Sequence, residues 1–167
     1  MANTSPANEK QSAIVLRDVR KHYGAVHAVD GVDLKIPQGQ VFGLIGHNGA
    51  GKSTLFKMML GLERPTSGHI TVAGADVAGP NFRAARRKLG YLPENVVLYD
   101  NLSGLETLNF FARLKGASLQ ECPSLLDKVG LSHAGKRAVR EYSKGMRQRL
   151  GFAQALLGKP EVLFLDE

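Results

Sequence analysis

Apolar residues along this chain change texture twice. Up to about Val72 they occur as short runs and alternations separated by turn residues. Ile14-Val15-Leu16 and the stretch Val29 to Ile36, alternating through Val32, Leu34 and Ile36, predict strands. Lys21-His22-Tyr23-Gly24 lies between them. Pro37-Gln38-Gly39-Gln40 predicts a turn leading into Val41-Phe42-Gly43-Leu44-Ile45, a continuous apolar run suited to a buried strand. Leu55-Phe56-Lys57-Met58-Met59-Leu60 reads as the opening turns of a helix. Glu63 to Gly68 is a second turn, and His69-Ile70-Thr71-Val72 a short strand. Phe82 to Leu89 has helical spacing and a basic face. Gly90-Tyr91-Leu92-Pro93 is extended, because Pro93 disfavours helix at Leu92.

From Glu94 the period becomes helical. Leu102 to Leu114 carries Leu105, Leu108, Phe111 and Ala112 at helical intervals, with Ser103 as N-cap, Glu106 three residues on and Gly116 closing the segment. Leu119 to Val129 predicts a second amphipathic helix with Pro123 in its first turn, ended by Gly130-Leu131. Ser143 predicts the cap of a third, Lys144 to Leu157, stopped by Gly158 and Pro160. Residues 95–158 thus read as an all-helical insertion in an α/β frame. The last segment, Val162-Leu163-Phe164-Leu165-Asp166-Glu167, reverts to a buried-strand run and ends in two carboxylates.

Composition narrows the classes. With 43% hydrophobic and 22% charged residues, 167 residues suffice for one globular domain. No apolar run approaches the ~20 residues of a membrane helix. Residues 1–11 are polar, lack a signal-peptide core and predict a disordered tail. A single cysteine, Cys122, excludes an intramolecular disulfide, and the five histidines show no metal-ligand spacing. The net charge is +7, with basic clusters at Arg83, Arg86, Arg87 and Lys88 and at Lys136, Arg137 and Arg140. Neither is interleaved with aromatics as a single-strand nucleic-acid surface would be, and both read as solvated faces, with a partner surface as the alternative.

Two stretches carry chemistry. Gly46-His47-Asn48-Gly49-Ala50-Gly51-Lys52-Ser53-Thr54 fits the phosphate-loop pattern of Gly, four residues, Gly, Lys and Ser or Thr, between a predicted strand and a predicted helix. The glycines let backbone amides wrap an anion, and the helix N-terminus adds unpaired N–H groups. Lys52 supplies a mobile charge for the β- and γ-phosphates, and the Ser53 hydroxyl a ligand for Mg²⁺. At the other end, a strand finishing in Asp166-Glu167 delivers acids to the sheet edge where open α/β sheets bind ligands. Asp166 is placed to hold Mg²⁺ with Ser53, and Glu167 to polarise an attacking water.

With these motifs the chain resembles the ATP-binding subunits of the ABC transporter superfamily. Tyr23 in Lys21-His22-Tyr23-Gly24 matches the family's adenine-stacking aromatic. Tyr142-Ser143-Lys144-Gly145-Met146-Arg147-Gln148-Arg149 is similar to its signature segment, usually Leu-Ser-Gly-Gly-Gln, with Ser143 and Gly145 at the key positions. In Gly90-Tyr91-Leu92-Pro93-Glu94 most relatives carry Gln where this chain has Glu94, which couples Mg²⁺ and the attacking water to the membrane subunit. Asp30-Gly31-Val32-Asp33-Leu34 resembles the antiparallel region before the phosphate loop. The implied fold is α/β, a P-loop NTPase with a RecA-like parallel sheet core, an N-terminal antiparallel β region and an inserted α-helical subdomain.

The resemblance also implies ATP and Mg²⁺ as cofactors and ATP hydrolysis coupled to transport. The nucleotide contacts would be Tyr23, Gly46 to Thr54, Ser143 and Gly145. Ser53, Asp166 and Glu94 would serve the metal, and Glu167, Lys52 and Glu94 the catalysis. The implied partners are a second copy in a head-to-tail nucleotide sandwich and a transmembrane permease, with no nucleic acid. The implied location is cytoplasmic, peripheral on the inner face of the plasma membrane. Tyr91 to Val96, Leu102-Ser103-Gly104 and Phe110 to Gly116 look more narrowly like the copper-processing ABC ATPases of nitrous oxide reductase maturation. Family members continue beyond Glu167, so residues 12–167 are expected to be an incomplete ATP-binding domain that folds poorly alone. The alternative is a nucleotide-binding interaction module or fragment without turnover, or a non-transport relative acting on nucleic acid or ribosomes.

Overall fold

The computed structural model describes residues 12–47 and 49–166. The tail expected at 1–11 and the roles expected of Asn48 and Glu167 lie outside the described residues. The chain forms two compact units, one ending at Arg86 and the other beginning at Arg87.

The first unit is built on a hairpin longer than its apolar pattern predicts. Strands β1 (Ser12–Tyr23) and β2 (Val26–Pro37) pair antiparallel from Ser12↔Pro37 to Tyr23↔Val26. Lys21-His22-Tyr23, expected to link two strands, completes β1, and Gly24-Ala25 alone turn the chain, with Gly24 at φ 58°. Cross-strand partners extend the ladder through polar residues that carry no apolar signal of their own. The α1 helix (Lys52–Met59) is followed by β3 (Ser67–Val72), which pairs with the other edge of β1, and β4 (Ala75–Asp76), which pairs with β3. The sheet order is β2-β1-β3-β4. Leu16, Val19, Ile70 and Val72 are buried on the sheet, and Leu55, Met58 and Met59 on α1. Alternation in the strands and i, i+3, i+4 spacing in the helix supply these apolar faces.

Val41 to Ile45 departs from the expected buried strand. It has no regular structure, and Val41 and Ile45 are 104% and 95% exposed. A strand exists only through its ladder, and none of the described strands pairs with this run. The helix expected over Phe82 to Leu89 is also shorter. It runs as α2 (Phe82–Ala85), tightens to a 3₁₀ turn at Arg86–Lys88, and gives way to strand at Leu89.

In the second unit β5 (Leu89–Leu92) and β6 (Val162–Leu165) pair parallel, in register from Leu89↔Val162 to Leu92↔Leu165. Three helices lie between them in the chain. In α3 (Gly104–Lys115) the Ser103 hydroxyl accepts from the Glu106 amide while the Glu106 carboxylate accepts from the Ser103 amide, and Gly116 ends the helix at φ 72°. α4 (Cys122–Lys128) has its proline in the first turn, and α5 (Lys144–Ala155) is capped by the Ser143 hydroxyl, which accepts from the Met146 amide. Leu108, Leu131, Val139, Leu150 and Leu157 form the core of this unit. Gly90 lets α5 press on β5, since a β-carbon there would meet the Ala155 carbonyl oxygen. Among the described residues, no helix is long and apolar enough to cross a membrane.

Candidate functional site

The phosphate loop belongs to the first unit. Its described residues form a tight turn, with the Ala50 amide donating to the His47 carbonyl at 3.1 Å, and then enter α1 at Lys52. Gly49 and Gly51 have φ of 84° and 81°, in the region where side chains are strained. Gly51 is constrained twice, because a β-carbon there would also fall on the Ala28 carbonyl oxygen of β2. Gly46, His47, Gly49, Ala50 and Ser53 are exposed, and Lys52 and Thr54 half-buried.

The N-terminus of α1 has the features of an anion site. Gly51 as N-cap offers no side-chain acceptor, and the first turn contains no acidic residue. The opening amides therefore lack the side-chain partner that Ser143 gives α5. The Lys52 ammonium folds back over the loop, donating to the Gly46 carbonyl at 2.5 Å and the His47 carbonyl at 3.0 Å. In this position it stabilises the loop's own backbone, and a phosphate could replace those carbonyls as the stronger, charged partner.

Tyr23 stands at the end of β1 with 48% of its surface exposed. The Lys21 ammonium lies 4.9 Å from the ring centroid, while it pairs with Glu63 at 2.5 Å and donates to the Arg64 carbonyl at 2.8 Å. A cation thus lies against the ring, and about half of the side chain remains exposed.

The remaining expected residues belong to the second unit. Asp166 follows β6 and stays tied to the ladder, its amide donating to the Leu92 carbonyl at 2.9 Å. The Tyr91 hydroxyl donates to Asp166 Oδ2 at 3.4 Å. Burial, and then the Asp166 charge, push the Tyr91 phenol above its ordinary value, so it remains a donor near neutral pH. Tyr91 had no marker in the sequence, because the contact depends on which strand lies beside β6. Glu94 is exposed in a bend just past β5.

Ser143 has the N-cap position expected of it, and Lys144 and Gly145 after it are exposed. A β-carbon on Gly145 would meet nothing within 4 Å, so the chain's own packing does not require glycine there. The departure at Tyr142, where relatives carry Leu, has a structural explanation. The ring is buried, and its hydroxyl donates to the Ala134 carbonyl at 2.7 Å. The expected Mg²⁺ set is divided between the units, Ser53 in the first and Glu94 and Asp166 in the second. Cys122 is fully buried, and burial raises its thiol pKa, which leaves it a packing residue.

Comparison with known proteins identifies the family and the fold. Residues 29–167 match the family model described as ABC transporter. An uncharacterized ABC transporter ATP-binding protein of a Nostoc species is 43% identical over 93% of the chain and 50% of its own length. The daunorubicin resistance ATP-binding protein of Streptomyces coeruleorubidus is 40% identical over 93% of the chain and 50% of its own length. A solved structure of an ATP binding subunit of an ABC transporter superposes with a TM-score of 0.83 at 33% identity, covering 93% of this chain and 66% of that one. The fold is that of the P-loop NTPases. The chain belongs to the ABC transporter family, among its ATP-binding domains. It spans about half the length of these two relatives.

Proposed function

We propose that this chain supplies the nucleotide-binding and ATP-hydrolysing part of an ATP-driven transporter. The observation that carries this reading is the uncapped N-terminus of α1, with the Lys52 ammonium folded onto the loop carbonyls that a triphosphate would displace. The loop amides and Lys52 bind the β- and γ-phosphates, and Tyr23 stacks on the base. The donors expected of the metal site, the Ser53 hydroxyl and the Asp166 and Glu94 carboxylates, are all hard oxygen ligands and suit Mg²⁺. When bound, Mg²⁺ neutralises charge developing on the phosphates. Tyr91 orients the Asp166 carboxylate by its hydrogen bond, and Glu167 accepts a proton from the attacking water.

Two copies arranged head to tail would place Ser143 and Gly145 of one on the γ-phosphate held by the other, and a permease would be driven by their closure. The transporter reading draws support from the family match and from relatives such as the daunorubicin resistance ATP-binding protein. The narrower copper-processing reading rests only on Tyr91 to Val96 and the neighbouring stretches, and the relatives reported above do not carry that name.

The test measures ATP binding and turnover separately. Lys52→Ala is expected to bind ATP roughly ten- to hundredfold more weakly, and Glu167→Gln to bind ATP but not turn it over. Undiminished binding by Lys52→Ala would remove the phosphate-loop assignment.

A further inference from the structure

We propose that the turn end of the β1–β2 hairpin carries a site for a divalent transition metal of the zinc type, held by His22, His27 and Asp30. The five histidines show no ligand spacing in sequence, but the hairpin makes His22 and His27 a register pair, with rings stacked at 3.9 Å and 19°. Asp30 joins them through a bulge. Lys21 pairs with Val29 and His22 with His27, so one step along β1 spans two along β2 and Ala28 is the extra residue. Without it, residues three apart on β2 would face opposite ways. With it, Asp30 shares a face with His27, and one ligand atom from each of the three residues lies within 4.8 Å of the others.

Two further observations point to a cation. His22 Nε2 is buried and has no hydrogen-bond partner, and an orphaned buried nitrogen is the kind of group a bound ion explains. The Asp30 carboxylate is already oriented, because Arg20 Nη1 donates to its Oδ1 at 2.5 Å. Arg20 Nε and Nη2 donate to Asp18, so two carboxylates balance the guanidinium charge. A hydrogen-bonded outer partner of this kind orients a metal-binding carboxylate.

Two imidazole nitrogens and one carboxylate oxygen favour zinc-type ions over Mg²⁺, and three protein ligands leave a fourth position for water. Tetrahedral bonds of about 2.0–2.2 Å would draw the ligand atoms to roughly 3.3–3.6 Å apart. The exposed side chains of His27 and Asp30 can rotate to allow this. By strand alternation the three lie on the face opposite Lys21, Tyr23 and Val29. The site is therefore separate from the nucleotide surface and does not depend on it. A bound ion would clasp β1 to β2 across the Gly24-Ala25 turn.

The experiment titrates the metal-stripped chain with Zn²⁺ against a chromophoric chelator at neutral pH, with Co²⁺ as the visible-absorbing substitute. One equivalent should bind, millimolar Mg²⁺ should not displace it, and His27→Ala should weaken binding at least about tenfold. His133→Ala, in the second unit, should leave it unchanged. Independently of any variant, Zn²⁺ should shift the ring resonances of His22 and His27 and leave those of His69 and His133 in place. Equal affinity of the wild type and His27→Ala, an equal loss in His133→Ala, or shifts spread over all the histidines would overturn the site.

Discussion

The carbonyl oxygen of Ala28 occupies the space that a β-carbon on Gly51 would need. The phosphate loop is therefore shaped by the hairpin as well as by its own glycines. Ala28 is also the bulge residue of β2, so an irregularity in one strand is matched to a glycine in the loop. Gly51→Ala should destabilise the first unit by roughly 1–3 kcal/mol from its positive φ alone, and by more through the clash. Urea unfolding measures this, and an unchanged midpoint would contradict it.

Lys52→Ala should behave differently. The ammonium bonds to exposed loop carbonyls, so its loss should leave the unfolding midpoint nearly unchanged. A charge-assisted contact to phosphate is worth about 1.5–3 kcal/mol, so nucleotide affinity should fall roughly ten- to hundredfold. A fluorescent ATP analogue titrated into both proteins reads this directly.

At Ser143 two roles can be separated. Ser143→Ala removes the α5 cap and should cost about 1 kcal/mol. Ser143→Asp keeps a capping oxygen and suits the helix dipole, so stability should return. A carboxylate would nonetheless repel a γ-phosphate, so under the role proposed for Ser143 ATP turnover should stay low in both variants. Restored turnover in Ser143→Asp would leave Ser143 with only its structural role.

Tyr142 and Gly104 form a coupled pair. A β-carbon on Gly104 would collide with the Tyr142 hydroxyl, which itself donates to the Ala134 carbonyl. Tyr142→Phe should cost about 1 kcal/mol by removing one of the two hydrogen bonds to that carbonyl, the Arg137 amide keeping the other at 2.9 Å. Gly104→Ala should cost more in the wild type than in the Tyr142→Phe background, because the clashing oxygen is then gone. A double-mutant cycle by urea denaturation should show this non-additivity.

Glu106 links stability to pH. Hydrogen bonds from the Ser103 amide and hydroxyl hold its carboxylate below the ordinary value of 4.5. Its contribution should be complete above the unfolded-state pKa and disappear as pH falls through the lower folded value. Glu106→Gln should therefore be less stable than the wild type near pH 7, and the difference should shrink below about pH 4.5. A constant difference across that range would contradict the capping role.

Local signals were legible where the responsible atoms are close in sequence. The Ser103–Glu106 box, the Gly116 stop, the Pro123 first turn and the Ser143 cap are satisfied within one helical turn, and each stands where its residues predict. The parallel β6 strand was legible from its unbroken apolar run. Val41 to Ile45 had the same composition and is exposed without strand structure. An apolar run states that burial is favourable, but a strand also needs a ladder partner, and that partner is not encoded in the run.

The sequence by itself determined the glycine pattern of the phosphate loop and the capped helices, because each depends on short-range geometry or intrinsic chemistry. Only the tertiary structure decided what lies across a strand pair. It set Tyr91 beside Asp166 and the Ala28 carbonyl against Gly51, and it gathered His22, His27 and Asp30 on one face. Register and bulges govern these contacts, and they arise from pairing between distant segments, which no periodicity along a single segment records.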